Sequence, residues 1–128
     1  MQFIHLAEGA YPKESCTYLI DFFETNISLA EPGRAGSKKL NNLEICLDID
    51  FRNPNSNIFG LENTLENILF QYKQKFPLID TNIGRWHVSP TCQLSRYEPN
   101  NFYDFIHCDV GKTCRNRIFA WMIYLNDI

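Results

Sequence analysis

This sequence is short of three things, and each shortage removes a class of function. Basic residues do not exceed acidic ones: twelve lysines and arginines stand against fifteen aspartates and glutamates, a formal net charge of -3. That balance gives no general attraction to nucleic acid or to an acidic membrane surface. Long apolar runs are missing too, since none approaches the ~20 residues that cross a bilayer. The opening MQFIHLAEGAYPKE has no basic stretch followed by an apolar core, so a cytoplasmic protein is expected. Paired cysteines are the third shortage. Cys16, Cys46, Cys92, Cys108 and Cys114 are odd in number, widely spread and form no Cys-x-x-Cys pair, which fits reduced intracellular thiols. Internal repeats, low-complexity tracts and a linker between two domains are likewise lacking.

What remains is the composition of an ordinary globular domain: 128 residues, 45% apolar, 14% aromatic and 21% charged. A chain of that length is expected to form one domain. From Pro12 to Thr25 the spacing of Cys16, Leu19, Ile20, Phe22 and Phe23 draws one apolar stripe on a helix, with Pro12 suited to its first turn. Leu61 to Phe76 repeats the pattern through Leu61, Leu65, Ile68, Leu69, Tyr72 and Phe76, and Pro77 stops it. Between them, Leu29 to Asn42 is rich in glycine and basic residues and poor in apolar ones, the character of a mobile surface loop.

The β-type signals are as plain. Leu43 to Phe51 alternates, with Leu43, Ile45, Leu47, Ile49 and Phe51 on one face and Glu44, Cys46, Asp48 and Asp50 on the other. This is a half-buried strand whose two aspartates are read as solvated. Thr91 to Tyr97, Phe105 to Asp109 and Arg117 to Leu125 are three further strand candidates separated by turn residues. In the last, Phe119, Trp121, Ile123 and Leu125 alternate with Ile118, Ala120, Met122 and Tyr124. Two apolar faces predict a strand buried on both sides.

One triplet carries chemistry. His107 and Asp109 flank Cys108, and residues two apart on a strand point to one face with alpha carbons roughly 6.5 to 7 Å apart. An imidazole and a carboxylate so placed can converge on one cation, and with a second histidine they form the facial triad of non-haem iron(II). The plain alternative is a strand end whose histidine and aspartate are solvated or paired with each other. A structural zinc site drawn from Cys92, His107, Cys108, Asp109 and Cys114 is a weaker option, because the spacing matches neither a zinc ribbon nor a finger.

The wider context of the triplet, CQLSRYEPNNFYDFIHCDVGKTCRNRIFAWMIYLND together with the upstream ESCTYLIDFFE, resembles the prolyl 4-hydroxylase type of 2-oxoglutarate- and Fe(II)-dependent dioxygenases, in the style of members from bacteriophages and marine viruses. In that family a strand bearing Arg-Tyr runs into a Pro-Gly turn, then a Tyr, then His-x-Asp, then an Arg-led apolar strand ending Tyr-Leu-Asn. The counterparts here are Arg96-Tyr97, Pro99-Asn100, Tyr103, His107-Cys108-Asp109, Arg117 and Tyr124-Leu125-Asn126, while Glu14, Cys16 and Ile20 resemble the family's acidic opening helix.

The resemblance implies an α+β fold, with N-terminal helices packed on the first part of a double-stranded β-helix of the jelly-roll, cupin-like kind. It implies metal ligation by His107 and Asp109, 2-oxoglutarate contacts from Tyr97, Met122 and Tyr124, and substrate contacts from Tyr103 and Arg117. The implied cofactors are Fe(II) and 2-oxoglutarate, with ascorbate as accessory reductant. The implied reaction hydroxylates an unactivated C-H bond of a peptide or small molecule, a peptidyl proline by analogy, as 2-oxoglutarate becomes succinate.

Two positions depart from the family pattern. Asn100 stands where glycine is usual, and asparagine tolerates positive φ, so the turn is expected to survive. The family's third ligand, a histidine, and the cation that pairs with the far carboxylate of 2-oxoglutarate come from strands beyond Tyr-Leu-Asn. His5 and His87 both lie upstream of the motif and are read as surface or capping residues. The 128 residues alone are therefore expected to bind iron(II) weakly and not to turn over 2-oxoglutarate. They also leave a sheet edge open to pairing with another chain. The rival reading is a truncated, non-catalytic β-rich binding module or gene fragment of that family.

Overall fold

The computed structural model describes residues 3–33, 42–48, 58, 60–82, 88–89, 91–101, 109 and 115–127. The first helix, α1, spans Lys13–Thr25, with Pro12 at its N-cap in an extended conformation. Pro12 has no N–H to leave unpaired, and its carbonyl accepts the first helical bond from Cys16 at 3.0 Å. At the other end the backbone N–H of Asn26 reaches the carbonyls of Phe22 and Phe23, and its side-chain amide also donates to Phe22 O at 2.8 Å. Those bonds satisfy carbonyls that a helix end would otherwise leave bare. Cys16, Leu19 and Phe23 form the buried stripe.

A short 3₁₀ turn, Ile27–Leu29, leads into a two-residue strand, β1, Glu31–Pro32. It pairs antiparallel with β2, Asn42–Asp48, which pairs antiparallel in turn with β3, Thr91–Tyr97. The sheet order is β1-β2-β3. Part of the stretch expected to be a surface loop is thus a strand. Pro32 is tolerable there because β1 is an edge and lends only two positions to the ladder. Gly33 closes the pairing by donating to Asn42 O at 3.0 Å. A side chain at 33 would meet the Asn42 amide and force it to shift.

The long helix α2, Leu61–Lys75, starts after Gly60, which sits at φ 86° where a side chain would be strained. Leu61 and Leu65 are its buried residues, and Phe76 ends it just before Pro77. A further short helix, α3, Leu78–Asn82, follows and was not expected from the sequence. Leu19 and Phe23 of α1, Ile45 and Leu47 of β2, Leu61 and Leu65 of α2, and Ile58 form one buried cluster. Leu43, Cys92 and Leu94 pack against it, so both helices cover the same apolar face of the sheet. The α+β expectation therefore holds as two main helices on a three-stranded antiparallel sheet.

One strand expectation is corrected. Arg117 to Leu125 is not in a strand and is not buried on both sides: Ile118, Met122 and Tyr124 are exposed. The alternation still sorts the side chains, since Ile123 and Leu125 pack on the core and Phe119 meets Tyr72 of α2 edge-on at 5.1 Å. Alternation specifies faces; a strand also needs a hydrogen-bonded neighbour, and the apolar pattern alone cannot supply one. The expected strand over Phe105 to Asp109 lies outside the described residues except for Asp109.

Candidate functional site

Helices cover one face of the sheet, so the face that could receive a ligand is the other one. Register fixes its members: Asn42 lies opposite Tyr97, Glu44 opposite Ser95, and Cys46 opposite Gln93. Along β3, Thr91, Gln93, Ser95 and Tyr97 are exposed while Cys92, Leu94 and Arg96 are half-buried on the helix side. Tyr97, expected to contact 2-oxoglutarate, thus stands on the uncovered face and is 43% exposed.

Past Tyr97 the chain turns. Asn101 N–H donates to Glu98 O at 2.9 Å, and Asn100 takes φ 69°. Proline at the second position of a turn and a left-handed residue at the third are the marks of type II chemistry. Asparagine does here what glycine does in the family pattern, as expected. Eight residues on, Asp109 is at the surface. His107 and Tyr103, the other members of this stretch assigned a role, lie outside the described residues. Whether His107 and Asp109 share a face therefore also lies outside them.

The remaining assigned residues are on the irregular 117–125 segment. Arg117 is exposed, as are Met122 at 73% and Tyr124 at 65%. Exposures of that size leave the three side chains in solvent and not in a closed pocket. Among the described residues no group of three or more His, Cys, Asp or Glu could hold a metal ion. As donors, an imidazole and a carboxylate two residues apart suit iron(II), and Asp109 is not consumed in the apolar core.

Of the residues weighed for zinc, Cys92 sits on the core side of β3, and burial, with a smaller contribution from nearby Cys46, pushes its thiol up to about 11. Cys108, Cys114 and His107 lie outside the described residues. His5 is also accounted for: its Nε2 lies 3.1 Å from Gln71 Oε1 on α2, and its ring meets Tyr72 edge-on. His87 lies outside the described residues.

Two polar side chains of the sheet, Asn42 on β2 and Arg96 on β3, were not assigned a role from the sequence. Asn42 is 2% exposed and donates to Glu44 Oε1 at 2.8 Å, and among the described residues its own Oδ1 has no hydrogen-bond partner. Arg96 reaches two carboxylates at once, Glu24 Oε2 at 3.3 Å and Glu98 Oε1 at 2.6 Å. Asn42 looks like the last residue of a loop, and no local pattern marks it as buried. Arg96 is marked by its place beside Tyr97, but its partners come from the end of α1 and from the turn, which only the fold brings together.

Among the described residues no helix is long and apolar enough to cross a membrane. No family model, no curated protein and no solved structure matches this chain.

Proposed function

We propose that this chain carries part of a 2-oxoglutarate- and Fe(II)-dependent dioxygenase site of the prolyl 4-hydroxylase type. In this reading the three-stranded sheet and its two helices belong to the first part of a double-stranded β-helix. The observation that carries the reading is the end of β3: Tyr97 stands on the face the helices leave uncovered, and the chain turns through Pro99 and a left-handed Asn100 toward the His-x-Asp triplet. That is the order of elements that the resemblance demands.

His107 and Asp109 would hold iron(II), and Tyr97, Met122 and Tyr124 would orient 2-oxoglutarate. Tyr103 and Arg117 would meet a peptide or small-molecule substrate. When bound, the metal and cosubstrate would supply the oxidising chemistry, in which dioxygen and 2-oxoglutarate give succinate and carbon dioxide, one oxygen atom entering succinate and the other the hydroxylated C-H bond. The protein's part is to offer ligands and orientation. Asp109 would hold the metal's one carboxylate donor from this stretch, and the Tyr97 hydroxyl, at the rim of the uncovered face, would donate a hydrogen bond to a carboxylate.

The reading is tested by metal binding. Anaerobic calorimetry with iron(II) should show one weak site per chain, and Asp109→Ala and His107→Ala should each lower its affinity at least about tenfold, because each removes one of two ligands. Affinity unchanged in both variants, or no binding by the parent chain, sinks the enzyme reading. It would leave the non-catalytic binding module, which the exposed Ile118, Phe119, Trp121 and Met122 favour.

A further inference from the structure

One side chain, Arg96, links α1 to the turn after β3. Arg96 lies on the helix side of β3, in line with Cys92 and Leu94, at the end of the strand next to the turn. There one terminal nitrogen contacts Glu24, one residue from the end of α1, and the other contacts Glu98, the residue whose carbonyl closes the turn on Asn101. A guanidinium can hold two carboxylates in a fixed fork, which an ammonium cannot. Next to it, Tyr97 projects from the opposite face, and the chain beyond Asn101 runs on to His107 and Asp109.

We propose that Arg96 is a positioning residue, a two-armed tether that fixes the turn over residues 98–101 to the end of α1. The tether stands on the two ion pairs; its consequence for metal binding rests on the dioxygenase reading. Single exposed ion pairs contribute little. Arg96 differs in that one guanidinium engages two carboxylates at once, its own side chain 35% exposed and those of Glu24 and Glu98 52% and 53%. Among the described residues, the contact that connects Glu24 to the turn runs through Arg96.

That indirect action is what the experiment reads. Amide hydrogen exchange at Asn101 reports the Glu98 to Asn101 bond, and thermal unfolding in parallel reports global stability. Arg96→Gln and Glu98→Gln should each speed exchange at Asn101 by about fivefold to tenfold, the loss expected for one charge-assisted contact. Glu24→Gln, 77 positions away in sequence, should speed it as well, by about twofold to fivefold, with little change in unfolding temperature. Arg96→Lys, whose compact ammonium lacks the planar fork that spans the two carboxylates, should resemble Glu24→Gln more than the parent. Unchanged Asn101 exchange in Glu24→Gln would reduce Arg96 to a local brace and overturn the tether, whatever iron does. If Asn101 responds as expected, iron(II) titration of Glu24→Gln should show weaker binding than the parent. A parent chain that binds no iron would remove the dioxygenase reading and leave the tether standing on its exchange data.

Discussion

Asn100 shows how one residue can be read from chemistry alone. Its φ of 69° is a region where most L-residues are strained by about 1–2 kcal/mol, asparagine less so and glycine not at all. Asn100→Ala is therefore expected to destabilise the protein by about 1 kcal/mol, and Asn100→Gly to change it by a few tenths at most, both read from urea midpoints. A neutral Asn100→Ala would mean that the turn does not need a left-handed residue. The turn was legible because proline followed by asparagine restricts the backbone locally. Tyr97 was singled out from the sequence by resemblance alone; its face follows from the alternation of burial along β3, with Leu94 on the core side. The Arg96 contacts and the burial of Asn42 were not legible, because both depend on segments far apart in sequence that only the fold brings together.

At the scale of elements, periodicity did most of the work where an element buries one side. The expected helices, Pro12 to Thr25 and Leu61 to Phe76, agree within one residue at each end with α1 and α2, and Thr91 to Tyr97 coincides with β3. Where burial is slight the signal fails: β1 is two exposed residues, and α3 is five residues after a proline. The stripe on α1 makes a sharper statement than its length. Phe23 is 3% exposed at the centre of the cluster, whereas Phe22, next to it, only packs on the cluster's edge. Phe23→Ala should cost about 3–5 kcal/mol, a large part of the ~5–15 kcal/mol that holds a domain together, and Phe22→Ala distinctly less. Equal losses in denaturant unfolding would mean that α1 is rotated about its axis from the orientation described.

At the scale of the whole molecule, the same packing that builds the core also sets how stability responds to alkali. Cys92 packs against the cluster from β3, and Tyr11 does so from the residue before the α1 N-cap. Burial is the main cause in both: it pushes the Cys92 thiol from 9.0 up to about 11 and raises the Tyr11 hydroxyl above its ordinary 10.0, where a hydrogen bond with Ser15 opposes the shift. In each case the folded protein holds its proton more tightly than the unfolded chain does. The contribution is thus fully present below pH 9; as pH rises from 9 toward 11 the unfolded chain ionises first and folding weakens. Two pKa units correspond to about 2.7 kcal/mol, and the partial exposure of Cys92 reduces the expected loss to about 1–2 kcal/mol. Unfolding free energies measured from pH 8 to 11 should fall through this window in the parent chain. The fall should be shallower in Cys92→Val, which keeps the side chain's bulk and removes its proton, with the remaining slope above pH 10 belonging in part to Tyr11. An identical slope in parent and variant would show that Cys92 is as open to water in the folded protein as in the unfolded one, and that the apolar face of the sheet is not closed by the helices over β3.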